Sequence, residues 1–83
     1  MAKWKKSDRP YNSEHLDADV CGARVKPTAL PSSYGTDYEW SIWVGPPGRR
    51  VLHQSGEART RAGAKRIARA RLATCERWQR GGR

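Results

Sequence analysis

Alternation of apolar and polar positions is clearest between Tyr38 and Val44, where Tyr38, Trp40, Ile42 and Val44 share one side and Glu39, Ser41 and Trp43 the other. A period of two over seven residues predicts a half-buried strand with the first set facing the core and Trp43 facing away from it. The GPPG run that follows (Gly45 to Gly48) predicts a tight hairpin connection, with Pro47 presetting its own φ and Gly48 able to take a positive one. Arg49 to Ser55 then reads as the returning strand, with Gly56 ending it. Upstream, Val20 to Val25 alternates more loosely, with Cys21, Ala23 and Val25 on one side, and predicts a first strand. Between these strands, KPTALPSSYGT (residues 26–36) reads as a loop.

From Thr60 the period changes. Ala64, Ile67, Ala68, Leu72, Cys75 and Trp78 fall on one side of a helix running to about Arg80 and are expected to face the sheet, with Thr60 as N-cap. Gly63 stands where a capping-box Glu would be. Lys65, Arg66, Arg69, Arg77 and Arg80 fall on the other side, and Arg71 lands within the apolar stripe, where its stem can pass the core edge with its charge in water. The first twelve residues, MAKWKKSDRPYN, mix charge, Pro and one Trp without period and read as a flexible basic arm. Ser13 to Ala18 could add one helical turn behind Asn12. The expected fold is α+β: a three-stranded antiparallel sheet packed on one C-terminal helix (βββα), as a single domain over residues 13–80, with 81–83 a frayed tail.

Charge sharpens this outline. Residues 1–46 carry six basic and six acidic side chains, whereas residues 47–83 carry eleven basic ones against Glu57 and Glu76, so the whole formal charge of +9 lies in the last 37 residues. A one-signed field on one part of a small domain attracts polyanions. Twelve Arg to five Lys also fits a GC-rich coding sequence, but codon bias alone would spread Arg evenly. Duplex nucleic acid is therefore the first expected partner, held mainly through phosphates, and an acidic host protein or nucleoprotein complex is the rival.

Eighty-three residues leave a thin core, drawn from four Trp, three Tyr and a modest aliphatic set without Phe. No apolar run approaches a membrane span, and the basic N-terminus lacks the apolar stretch of a signal peptide, so a cytoplasmic protein with no membrane partner is expected. Cys21 and Cys75, far apart and without CxxC spacing, read as buried free thiols. His15 and His53 lie in separate segments, so neither a metal nor another cofactor is expected. His53 and Ser55 have no carboxylate placed to orient them, and no glycine pattern of a phosphate loop precedes the helix. A non-enzymatic protein with no small-molecule substrate is the expectation.

The expected nucleic-acid surface comprises Arg49 and Arg50 at the hairpin, Arg59, Arg61 and Lys65 around the helix N-terminus, Arg66 and Arg69 farther along, and Lys3, Trp4, Lys5 and Lys6 of the arm. Trp4 could stack on a base, and Trp43 is the alternative anchor for a protein partner. The free N–H groups at a helix start favour an anion between Arg59, Arg61 and Lys65. Gly56, Thr60, Arg61, Ala64, Lys65 and Ala68, within residues 56–72, resemble the C-terminal strand, loop and helix of double-stranded-RNA-binding domains. That resemblance implies a helix start straddling the phosphates of a groove. Ala58, Ala62 and Arg69 depart from its pattern, and the N-terminal recognition helix of that family is not visible. The short length and the dense Arg and Trp resemble phage or mobile-element accessory proteins.

Overall fold

The computed structural model describes residues 3–7, 12–28, 37–46 and 48–81. Five strands, β1 (Lys5–Ser7), β2 (Ser13–Asp17), β3 (Cys21–Pro27), β4 (Tyr38–Val44) and β5 (Val51–Ala58), precede one helix, α1 (Arg61–Gly81). The strands form one antiparallel sheet in the order β1-β2-β3-β4-β5, a meander in which every neighbour in sequence is a neighbour in space. The fold is α+β with a C-terminal helix, as expected, but the sheet has five strands rather than three.

The two additional strands come from the first seventeen residues. Lys5–Ser7, expected to belong to an arm, pair with Ser13–His15, and Ser13–Asp17, expected as a helical turn, form β2 against Gly22–Val25. A local reading of Ser13–Ala18 fails because the segment is organised from outside itself. Leu16 alternates with Glu14 toward α1, and Glu14 finds its charge partners 47 and 51 residues later. Asn12 takes a φ of 55° before β2, a conformation Asn tolerates better than most residues. The remainder of the expected arm at 1–2 and 8–11, most of the long loop at 29–36, Pro47 and the tail at 82–83 lie outside the described residues.

Cross-strand rows carry the core. Leu16, Ala23 and Ile42 are successive partners across β2, β3 and β4, and Val25 and Trp40 form the adjacent row. Together with Cys21 these six are buried under Ala64, Ala68, Leu72 and Cys75 of α1. The two alanines let the helix lie close over β3 and β4, its principal contacts, and Thr60 caps it by accepting a hydrogen bond from the Gly63 amide at 2.9 Å.

The buried stripe of α1 is narrower than its apolar pattern. Trp78, expected in the core, is 66% exposed and Ile67 is 36% exposed. At ~100° per residue both lie off the Ala64–Leu72 centre, on the flank away from Glu14 and toward β5. The helix sits over the middle of the sheet, so that flank has little beneath it. Arg71 lies on the same flank and is exposed.

At the other end of the sheet Gly45 and Gly48 have φ of 126° and 88°, the latter as expected for the hairpin. β5 runs on to Ala58, past the break expected at Gly56. The returning strand also carries an irregularity opposite Ile42 and Trp43: Ile42 pairs with Gln54 but Trp43 with Leu52, leaving His53 as the extra residue.

Candidate nucleic-acid interface

Carboxylates divide the basic residues into two groups. Glu14 is buried on the helix side of β2 and accepts from Arg61 at 2.9 Å and Lys65 at 3.0 Å. Burial opposes its ionisation, but the hydrogen bonds and charges of Lys65 and Arg61 outweigh that and hold the carboxyl below its ordinary value. Arg61 also lies over the Tyr38 ring at 4.9 Å, and Lys65 over Trp4 at 5.3 Å. At the far end of α1, Arg80 holds both Glu76, at 2.7 Å, and Asp19, while Glu76 accepts from the Val20 amide. Burial likewise opposes ionisation of Glu76, and the Arg80 and Val20 hydrogen bonds overcome it. Arg50 donates to Asp17 at 2.5 Å and to the carbonyls of Ala18 and Gly45. These four cations fasten the helix and hairpin to β2 and to the β2–β3 turn.

Five other arginines among the described residues are free of carboxylates. Arg59, Arg66, Arg69, Arg71 and Arg77 are exposed, and none has an ion pair among the described residues. On the helical wheel Arg66, Arg69 and Arg77 surround the direction opposite the core, with Ala62 and Ala73 between them and Ala70 beside Arg77. Arg59 precedes the helix at the same end as Arg61. At 1.5 Å per residue the helical part of this ridge, Arg66 to Arg77, spans ~17 Å, with Arg59 beyond it before the helix start. Small alanines between long cations allow a close approach by an extended polyanion.

The expected site residues therefore separate by position. Arg59, Arg66 and Arg69 lie on the solvent side of α1 or at its start. Arg61 and Lys65 flank that surface but already hold the protein's own carboxylate, so the anion at this helix start is Glu14. Arg50 is consumed internally, and Arg49 is exposed at the hairpin, away from the helix start. Lys3, Lys5 and Lys6 are exposed, with Lys6 directly opposite Glu14. Trp4 packs against the core and under Lys65 instead of standing free. Arg77, placed by its helical phase on the basic side but not among the expected contacts, lies on the same exposed surface.

Trp43 lies on the helix-free face of the sheet, as its alternation predicts, and is half-buried. Its indole Nε1 donates to Ser41 Oγ at 2.9 Å, and Arg24 lies over the ring at 5.3 Å. Trp43 and Arg24, together with His15, Asp17, Gly22 and Arg50, line a depression of about 390 Å³. Burial, with the charge of Arg24 nearby, lowers the pKa of His15, favouring the neutral imidazole. Leu52, 50% exposed, is the cross-strand neighbour of Trp43. Among the described residues no group of His, Cys, Asp and Glu could hold a metal ion, and no helix is long and apolar enough to cross a membrane.

No protein-family model matches this chain, and neither do any curated protein or any solved structure.

Proposed function

We propose that this protein binds duplex nucleic acid by laying the solvent face of α1 against phosphates, with Arg59, Arg66, Arg69 and Arg77 as the principal contacts. The observation that carries this reading is the division of charge: Glu14, Asp17, Asp19 and Glu76 are paired with cations that fasten the fold, and the arginines of the helix ridge have no ion pair among the described residues. A duplex carries one negative charge per ~1.7 Å of axis, so a basic ridge of this length can reach several phosphates. Arginine is suited to the task because its planar fork engages phosphate oxygens through two donors. The ridge positions the protein on a backbone and reads little sequence, since base recognition needs side chains aimed at base edges. The resemblance of residues 56–72 to double-stranded-RNA-binding domains implies phosphates at the helix start, but Arg61 and Lys65 there hold Glu14, so the proposed contacts fall to Arg59 and the arginines farther along the helix.

The deciding experiment is a binding titration of duplex DNA, duplex RNA and a polyanion control across salt concentrations. With four phosphates neutralised, log affinity against log salt slopes at about −3.6. Absence of binding to either duplex at low salt overturns the proposal.

A second reading, docking on an acidic protein, is favoured by one observation. Trp43 and Leu52 make an apolar area on the helix-free face beside Arg24 and Arg50, a small version of an apolar interface centre with a charged rim. Loss of partner binding on replacing Trp43 with Ala, with duplex binding absent in both proteins, selects it.

A further inference from the structure

Cys21 opens β3 opposite Val44, and Cys75 lies in the last third of α1. Folding brings the two together from 54 residues apart with their sulfur atoms at 2.7 Å, one thiol donating to the other. Both side chains are buried, Cys21 completely and Cys75 at 5% exposure. Among the described residues these are the two free cysteines, and both belong to the buried cluster where α1 packs on the sheet.

We infer that Cys21 and Cys75 are a covalent modification site, an intrachain disulfide that latches α1 to β3 and closes while the chain is folding under oxidising conditions. The co-reactant is a low-molecular-weight disulfide. One cysteine thiolate attacks it, forming a mixed disulfide and releasing one thiol. The second thiolate then attacks the protein sulfur, forming the Cys21–Cys75 bond and releasing the second thiol. Two cysteine thiols and one disulfide become one protein disulfide and two small thiols, with both electrons passing to the reagent. The native reduced pair is a poor starting point for this exchange. Burial, reinforced by Cys75 and Glu76, pushes the Cys21 thiol up to about 12, so its thiolate is scarce at neutral pH, and neither sulfur is open to a mixed disulfide. The latch consequently forms before the core has closed, or during opening of the helix, and is shielded once made.

The pairing gives the bond a large thermodynamic lever, because cross-linking positions so far apart in sequence restricts the unfolded chain strongly. This inference does not depend on nucleic-acid binding.

The test compares the full chain refolded from denaturant in oxidised glutathione with the same chain refolded in excess reductant. Expected after oxidative refolding is a monomer lighter by two hydrogens, without titratable thiol, and with Tm higher by roughly 10–30 °C. Folded reduced protein exposed to the same oxidant for the same time should retain both thiols. The variant Cys75→Ala should show no dependence of its Tm on an intrachain bond, which separates the latch from general effects of the reagent. The inference is overturned if oxidative refolding leaves two thiols, gives mixed disulfides or linked dimers, or gives the intrachain bond with an unchanged Tm. Oxidation of the native protein as fast as that of the unfolded chain overturns closure during folding.

Discussion

The indole of Trp40 occupies the space that a side chain on Gly56, its directly paired neighbour on β5, would need. A Cβ at position 56 would stand 2.6 Å from the Trp40 ring, closer than carbon atoms can approach without displacement. Trp40 is itself held beneath α1 in the core and has little freedom to yield. Gly56→Ala is therefore expected to lower stability by roughly 1–3 kcal/mol, the range for overpacking a fitted site. Chemical denaturation of the purified variant measures it, and an unchanged midpoint would show that the ring moves aside freely.

Removing the partners of Glu14 should cost more than removing exposed arginines. Arg61→Ala combined with Lys65→Ala leaves a buried carboxylate without a counter-charge, a loss on the order of 3 kcal/mol. Arg66→Ala with Arg69→Ala and Arg77→Ala removes three side chains without ion pairs among the described residues, and each change should cost under about 0.5 kcal/mol. The triple variant, which keeps the fold, should flatten the salt dependence of duplex binding by about 2.7 in log–log slope. Equal stability losses in the two variants would contradict this division of roles.

The same carboxylate sets an acid limit. Because the folded pKa of Glu14 is depressed, its contribution is fully present above the unfolded glutamate value of about 4.3 and is lost as pH falls through the lower folded value. Glu76 is depressed too and adds to stability in the same window. Unfolding free energy should fall as pH drops below about 4.3, and Glu14→Gln should reduce the slope while Glu76 preserves part of it. Denaturation curves of both proteins between neutral and acid pH provide the comparison. An identical slope in the variant would remove Glu14 from the account.

Two tryptophans provide an opposed pair. Trp78→Ala is expected to change stability by under about 0.5 kcal/mol, since the ring is largely in water. Trp40→Ala should cost roughly 3–5 kcal/mol, as for other large core aromatics. A large loss from Trp78→Ala would place that ring against the sheet and restore the wider apolar stripe.

Arg50 passes across Gly22, where a side chain at position 22 would collide with its guanidinium, and it bonds to Asp17, Ala18 and Gly45. Gly22→Ala should therefore release the hairpin base from the β2–β3 turn and lower Tm. Arg50→Ala should lower it as well, and in the double variant the two losses should be less than additive because they break one contact. Full additivity would show that the two residues act separately.

Elements whose signals are local were legible in the chain. Alternation identified the buried side of Tyr38–Val44 and of Cys21–Val25, positive-φ tolerance identified Gly48, and the hydroxyl of Thr60 identified the helix start, because each depends on neighbours within a few residues. Charge asymmetry also directed attention to the helix. Features that depend on partners far away in the chain emerged only with folding. Ser13–Asp17 become a strand because β3 offers an edge and Arg61 and Lys65 neutralise Glu14, which no window around residue 14 contains. Trp78 and Ile67 are apolar at helical spacing, yet remain outside because α1 is centred over β3 and β4, a placement set by Ala64, Ala68, Leu72 and Cys75. The same geometry divides the arginines into those that fasten the fold and those without an ion pair among the described residues. A sequence counts charges, but only a fold pairs them.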